Sequence, residues 1–177
     1  MKVDFFIVGA PKAGTTSLYH YLNEHPNIVM SIDKEPNYFS SEAIKKQKLY
    51  YKKKYIETLD QYHSLFTNIK ENMIFGEGSV SYLFYNNVAS NIKSYNKDAK
   101  IIMIFRNPIE RAFSHYLMDL RLGLISEKFE DIINKKSTHP NAKLYYQQYV
   151  GLGKYFEQLM RYREIFDLNN ILIIDYE

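Results

Sequence analysis

Cysteine is absent from the 177 residues. Disulfide frameworks, thiolate zinc sites and cysteine nucleophiles are therefore excluded, and redox chemistry says nothing of the compartment. Long apolar runs are missing as well. The N-terminus reaches Gly9 through Phe5-Phe6-Ile7-Val8, a run too short for a signal h-region or a membrane span. With no integral membrane segment to read, a soluble, cytoplasmic protein is the default expectation. No Pro/Gly/Ser-rich linker, low-complexity tract or internal repeat interrupts the chain, so residues 1–177 are expected to form a single domain. Excess charge of one sign is also small: the formal net charge is +3, which gives no reason to expect a nucleic-acid partner. Six of the 23 basic residues fall between Lys45 and Lys54. That stretch reads as a solvated helix face, with an anion-binding patch as the alternative. The five histidines show no metal-ligand spacing, and no metal is expected.

What the sequence does hold is apolar and aromatic mass. Hydrophobic residues make up 46%, including 17 Tyr and 11 Phe, enough for a packed core. A chain of this size buries roughly 70% of its unfolded surface on folding. Strand-length runs at Phe5–Val8, Ile28–Met30, Met73–Phe75, Ile101–Phe105 and Ile171–Ile174 alternate with helical patterns at Thr15–Glu24, Val88–Tyr95, Pro108–Leu122, Glu127–Lys135, Ala142–Tyr149 and Lys154–Phe166. Several runs are continuous rather than alternating, as in parallel strands covered on both faces. The expectation is an α/β fold with a three-layer parallel sheet. In Pro108–Leu122, Ile109, Ala112, Phe113, Tyr116, Leu117 and Leu120 share one face. Asn107 suits the N-cap of that helix, Pro108 its first turn, and Glu110 a capping box. From Ser40 to Asn72 no clean period emerges.

The most specific signal is Val8-Gly9-Ala10-Pro11-Lys12-Ala13-Gly14-Thr15-Thr16-Ser17, which leaves a buried strand and enters a helix. Such a P-loop-like strand-loop-helix lines up backbone N–H groups at a positive helix end, ready for phosphate or sulfate. A Walker-A nucleotide kinase needs Lys where Thr15 stands, and an Asp to hold Mg²⁺ where the strand Ile101–Phe105 instead runs into Arg106. The loop reads as an anion site without a metal. Arg106 offers a planar fork of donors and Ser114, two turns into the next helix, a neutral one; together they can clasp a phosphate.

Taken jointly, Pro11-Lys12-Ala13-Gly14-Thr15-Thr16-Ser17-Leu18 and Arg106-Asn107-Pro108-Ile109-Glu110-Arg111-Ala112-Phe113-Ser114-His115-Tyr116 resemble the sulfotransferases that use 3′-phosphoadenosine 5′-phosphosulfate (PAPS). The resemblance implies that the loop Lys12, Ala13, Gly14, Thr15, Thr16 and Ser17 binds the 5′-phosphosulfate. It implies likewise that Arg106 and Ser114 bind the 3′-phosphate of PAPS and of its product PAP. His25-Pro26 with Lys34-Glu35-Pro36-Asn37-Tyr38-Phe39, and Gly76-Glu77-Gly78-Ser79-Val80-Ser81-Tyr82, resemble segments of the carbohydrate branch, which includes heparan-sulfate-type and bacterial enzymes; Val80 replaces the usual Pro. Gly151 to Leu159 resembles a further family helix, and Ile171 to Glu177 its next core strand. Family members usually continue for several dozen residues more, so the chain is expected to lack a C-terminal part.

Sulfuryl transfer needs in-line positioning, a proton acceptor and neutralisation of the leaving oxygen. By the same resemblance Glu35 is the general base and Lys12 stabilises the leaving phosphate. Lys34 assists. Glu77 is read as a structural acid or an acceptor-binding one, and both stay open. The run Tyr145-Tyr146-Gln147-Gln148-Tyr149 is open between core packing and stacking on sugar or adenine. The acceptor is expected to be a hydroxyl or amine of a saccharide, glycolipid or small molecule. A P-loop nucleotide kinase and a non-catalytic nucleotide-binding module are the rival readings, and the oligomeric state is not legible.

Overall fold

The computed structural model describes residues 1–48, 55–67 and 69–176. Five parallel strands form one sheet: β1 (Phe5–Gly9), β2 (Ile28–Met30), β3 (Ile74–Gly78), β4 (Lys100–Phe105) and β5 (Ile171–Asp175), in the order β2-β3-β1-β4-β5. Around them lie α1 (Thr15–Asn23), α2 (Ser41–Gln47), α3 (Leu59–His63), α4 (Val88–Tyr95), α5 (Pro108–Arg121), α6 (Phe129–Ile133), α7 (Ala142–Tyr149) and α8 (Tyr155–Arg163).

Side chains alternate across the pleat, so the central strand β1 feeds two cores. Phe5 and Ile7 pack with Tyr19, Leu18 and Leu22 of α1 on one face. Phe6 and Val8 pack on the other with Ile92 of α4, Tyr162 of α8 and Tyr62 of α3. Helices thus cover both faces, and the expected three-layer α/β architecture holds. β1 is buried along its whole length, which is why it carries no polar residue.

Three local expectations need correction. The Lys-rich stretch is not one helix face, because α2 stops at Gln47 and Lys48 turns left-handed at φ 50°; residues 49–54 lie outside the described residues. The Asn107 side chain does cap α5, accepting from the N–H groups of Ile109 and Glu110 at 3.0 and 3.3 Å, but Glu110 closes no capping box, because Arg106 takes its carboxylate at 3.2 Å. The apolar stripe of α5 faces outward in large part: Ile109 is 76% exposed, and Phe113, Leu117 and Leu120 are exposed too. The buried face carries Arg111, Ala112, His115 and Asp119 instead. Arg111 donates to the carbonyls of Gln148 and Tyr149 at the end of α7, and the Tyr149 hydroxyl donates to Asp119 at 2.8 Å. A helix face this polar is buried because charge-assisted hydrogen bonds satisfy it.

Candidate active site

The segments that follow β1, β2, β3 and β4, and the beginnings of α1 and α5, meet at the C-terminal edge of the sheet, where an open α/β sheet forms its ligand crevice. A cavity of about 550 Å³ opens there. Its lining joins Lys12, Gly14, Thr15 and Thr16 from the loop after β1, Lys34 and Glu35 from the segment after β2, Val80 and Ser81 after β3, and Arg106 and Ser114 after β4. Lys12 and Arg106, 94 positions apart in sequence, therefore meet.

The loop between β1 and α1 turns through Lys12 at φ 65° and Gly14 at φ 80°. Gly14 is required twice over. Its backbone is left-handed, and a Cβ there would stand 2.9 Å from the ring of Tyr176. Lys12 lies among cations: Arg106 donates to its carbonyl at 3.4 Å, and Arg121 shares with it a neighbouring cavity that also holds Arg106 and Ser114. Burial first, then Arg121, pull the Lys12 ammonium below its ordinary pKa, with Asp119 acting against them. Lys12, Arg106 and Arg121 gather there against the carboxylate of Glu110, and such a cluster of cations favours an incoming anion. Ala13 and Ser17 do not line the cavity: Ala13 is in the core and Ser17 faces solvent in the first turn of α1.

Glu35 sits in a left-handed conformation, φ 63°, as does Asn37, φ 55°. Such backbone persists only where neighbours over-determine it. The Glu35 N–H donates to the Gly78 carbonyl at 2.9 Å, and its own carbonyl accepts from the Asn37 amide. The Asn37 N–H donates to Ser79 Oγ at 3.0 Å, and Ser81 Oγ donates to Asn37 Oδ1 at 2.6 Å. The loop that presents Glu35 is thus stitched to the end of β3. Lys34 Nζ donates to Glu35 Oε1 at 2.8 Å, and both are partly exposed to the cavity.

Glu77 lies beneath this loop and is fully buried. Ser79 Oγ donates to its Oε1 at 2.6 Å, and Tyr62 OH donates to Oε2. Burial pushes its carboxyl up to about 7, while hydrogen bonds from Ser79, Tyr62 and Tyr82 pull the other way. Of the two roles the sequence left open for Glu77, this position suits the structural one. Tyr145 and Tyr149 likewise pack in a small core with Ala112, Ile125 and Ile132, so core packing describes them. The described residues contain no group of three or more His, Asp or Glu placed to hold a metal ion, and no helix among them is long and apolar enough to cross a membrane.

Several neighbours of the site escaped the sequence reading. His115 and Met118 line the cavity from α5, and Lys12 Nζ approaches Met118 Sδ at 3.5 Å. The ring of Tyr176 lies against Gly14, and the Arg106 guanidinium stands 5.3 Å from its centroid. Helical spacing from Ser114 could have suggested Met118 and Arg121. No local signal pointed to Tyr176.

Residues 2–177 match the family described as Sulfotransferase domain. A membrane-associated sulfotransferase, kil1, of Dictyostelium discoideum is 32% identical over 113 residues, which is 64% of this chain and 22% of that protein. The human heparan sulfate glucosamine 3-O-sulfotransferase 3B1 is 25% identical over 171 residues, 97% of this chain and 40% of that protein. The chain thus spans well under half the length of these curated relatives. The crystal structure of a sulfotransferase from Alicyclobacillus acidocaldarius superposes with a TM-score of 0.83 at 31% identity, covering 99% of this chain and 74% of that one.

Proposed function

The chain belongs to the sulfotransferase-domain family, and from that premise we propose that it moves a sulfuryl group from PAPS to a hydroxyl or amine of a saccharide, glycolipid or small-molecule acceptor. The observation that carries the reading is the single cavity shared by the phosphosulfate loop, the Arg106–Ser114 pair and Glu35. Cations and hydroxyls converge on it, a donor set that suits a ligand bearing anions at both ends.

PAPS supplies, when bound, a sulfuryl group on a phosphate leaving group and a 3′-phosphate for recognition. The N–H groups at the start of α1, with the Thr15 and Thr16 hydroxyls, hold the phosphosulfate. Arg106 and Ser114 hold the 3′-phosphate. The acceptor oxygen or nitrogen bonds to sulfur as the bond from sulfur to the phosphate oxygen breaks. The acceptor proton passes to the Glu35 carboxylate, and the electron pair of the broken bond stays on the phosphate oxygen, beside the Lys12 ammonium. Lys34, bonded to Glu35, orients that carboxylate. Thr15 at the Walker lysine position and Arg106 at the end of β4 weigh against a kinase.

The test is PAP release and sulfated-product formation from PAPS and an acceptor panel, in EDTA. Glu35→Gln should lower turnover by about 10²-fold or more and leave PAP affinity unchanged. Unchanged turnover in that variant, or turnover that requires a metal, would contradict the mechanism.

A further inference from the structure

The acceptor can be narrowed from the walls of the same cavity, an inference that rests on the proposed sulfuryl transfer. Beyond Glu35, the apolar lining is Ile44 of α2, Val80, Phe84 and Tyr85 from the segment after β3, and Leu152 just past α7, beside the polar Ser81, Gln147 and Gln148. Two of the polar groups on this side, Tyr85 and Gln147, share one hydrogen-bond partner. Tyr85 OH donates to Gln47 Oε1 at 2.9 Å, and Gln147 Nε2 donates to the same oxygen at 3.0 Å. These bonds tie α2, α7 and the segment after β3 into one wall. Burial holds the Tyr85 phenol far above its ordinary pKa, so it stays uncharged.

Positive charge is distributed differently. Among the described residues that line the cavity, the lysines and arginines are Lys12, Lys34 and Arg106. Lys12 and Arg106 belong to the PAPS side of the cavity, and Lys34 is paired with Glu35. A polyanionic chain entering beyond Glu35 would shed its water against aliphatic and aromatic side chains with no cation among them to take its charge, a costly exchange. An uncharged molecule with an apolar body gains there instead.

We infer that the acceptor is an uncharged alcohol carrying an alkyl or aryl body, its hydroxyl presented to Glu35 and its apolar part held by Ile44, Val80, Phe84, Tyr85 and Leu152. The product is then a sulfate monoester of that alcohol together with PAP. The acceptor proton ends on Glu35 as before.

The experiment measures kcat/KM for PAP release with three acceptors: octyl glucoside below its micellar concentration, methyl glucoside, and a heparan-type polyanionic saccharide. The expected result is octyl glucoside ahead of methyl glucoside by about ten-fold or more, since each buried CH₂ contributes a factor of about four, with the polyanion poorest. Phe84→Ala should erase most of the octyl advantage through KM while PAP affinity is unchanged. Equal rates for the two glucosides, or preference for the polyanion, would overturn this inference and leave sulfuryl transfer standing. No PAPS turnover with any of the three would overturn the transfer reading, and this inference with it.

Discussion

Glu77 should make the stability of the fold depend on pH in a way that one substitution removes. Its carboxyl is raised from its ordinary 4.5 to about 7, chiefly by complete burial. Below pH 4.5 it is protonated in folded and unfolded chains alike, so it contributes no pH dependence. As pH rises, the unfolded chain ionises first. Glu77 therefore favours unfolding progressively until about pH 7, where the folded form ionises too and the penalty levels off. The gap between 4.5 and about 7 is worth about 3 kcal/mol, or about 6–12 °C in Tm for a domain of this size. Other carboxylates titrate in the same range, so the comparison must be with Glu77→Gln, which copies the protonated group and cannot ionise. Urea unfolding followed by far-UV circular dichroism, at intervals from pH 5 to 8, should show wild type losing about 2–3 kcal/mol relative to Glu77→Gln. Parallel stability profiles for the two proteins would refute the claim that this carboxyl is raised by burial.

Two further outcomes follow from the anion site. Gly14→Ala should cost about 1 kcal/mol or more for its left-handed backbone and also weaken PAP binding, because the added Cβ meets the Tyr176 ring; thermal denaturation and calorimetry check both, and an unchanged PAP affinity would argue against the loop's role. Arg121→Gln should weaken PAP binding by about 2–5-fold while shifting stability by no more than about 0.5 kcal/mol, since Arg121 is an exposed residue that adds charge beside Lys12 and Arg106; equal affinity in titrations of both proteins would remove it from the site.

β1 and β4 were legible because neighbours cover most of both their faces, which leaves continuous apolar runs, and the edge strand β5 carries a similar run although Leu172 and Ile173 are exposed. The beginning of α5 was legible from Asn107 and Pro108, whose effects are local. Its buried face was not. Periodicity assigns a core face to apolar residues, whereas α5 docks through Arg111 and Asp119 onto partners 30 to 38 positions away, and nothing local announces them. Glu110 was misread for the same kind of reason, since Arg106 competes for its carboxylate.

In the site, Lys12, Gly14, Thr15, Thr16, Lys34, Glu35, Arg106 and Ser114 stood in recognisable patterns, and the fold brings them to one cavity. Ala13 and Ser17 belong to the same pattern but their side chains point elsewhere, because a motif specifies the course of the backbone and not the direction of each side chain. Glu77 was recognised as an acid of consequence, yet its burial depends on Tyr62 of α3 covering it from a region without periodicity. Tyr176 reaches the site through tertiary packing alone, whereas Arg121 follows from Ser114 by helical spacing.

The most direct test of the central claim is calorimetric titration of the protein with PAP and with AMP, each against wild type and Arg106→Ala, with ATP·Mg²⁺ as control. The 3′-phosphate site predicts that PAP binds wild type at least about ten-fold more tightly than AMP, and that Arg106→Ala abolishes the difference while AMP affinity is little changed. Equal affinity of wild type for PAP and AMP, or a preference for ATP·Mg²⁺, would contradict it.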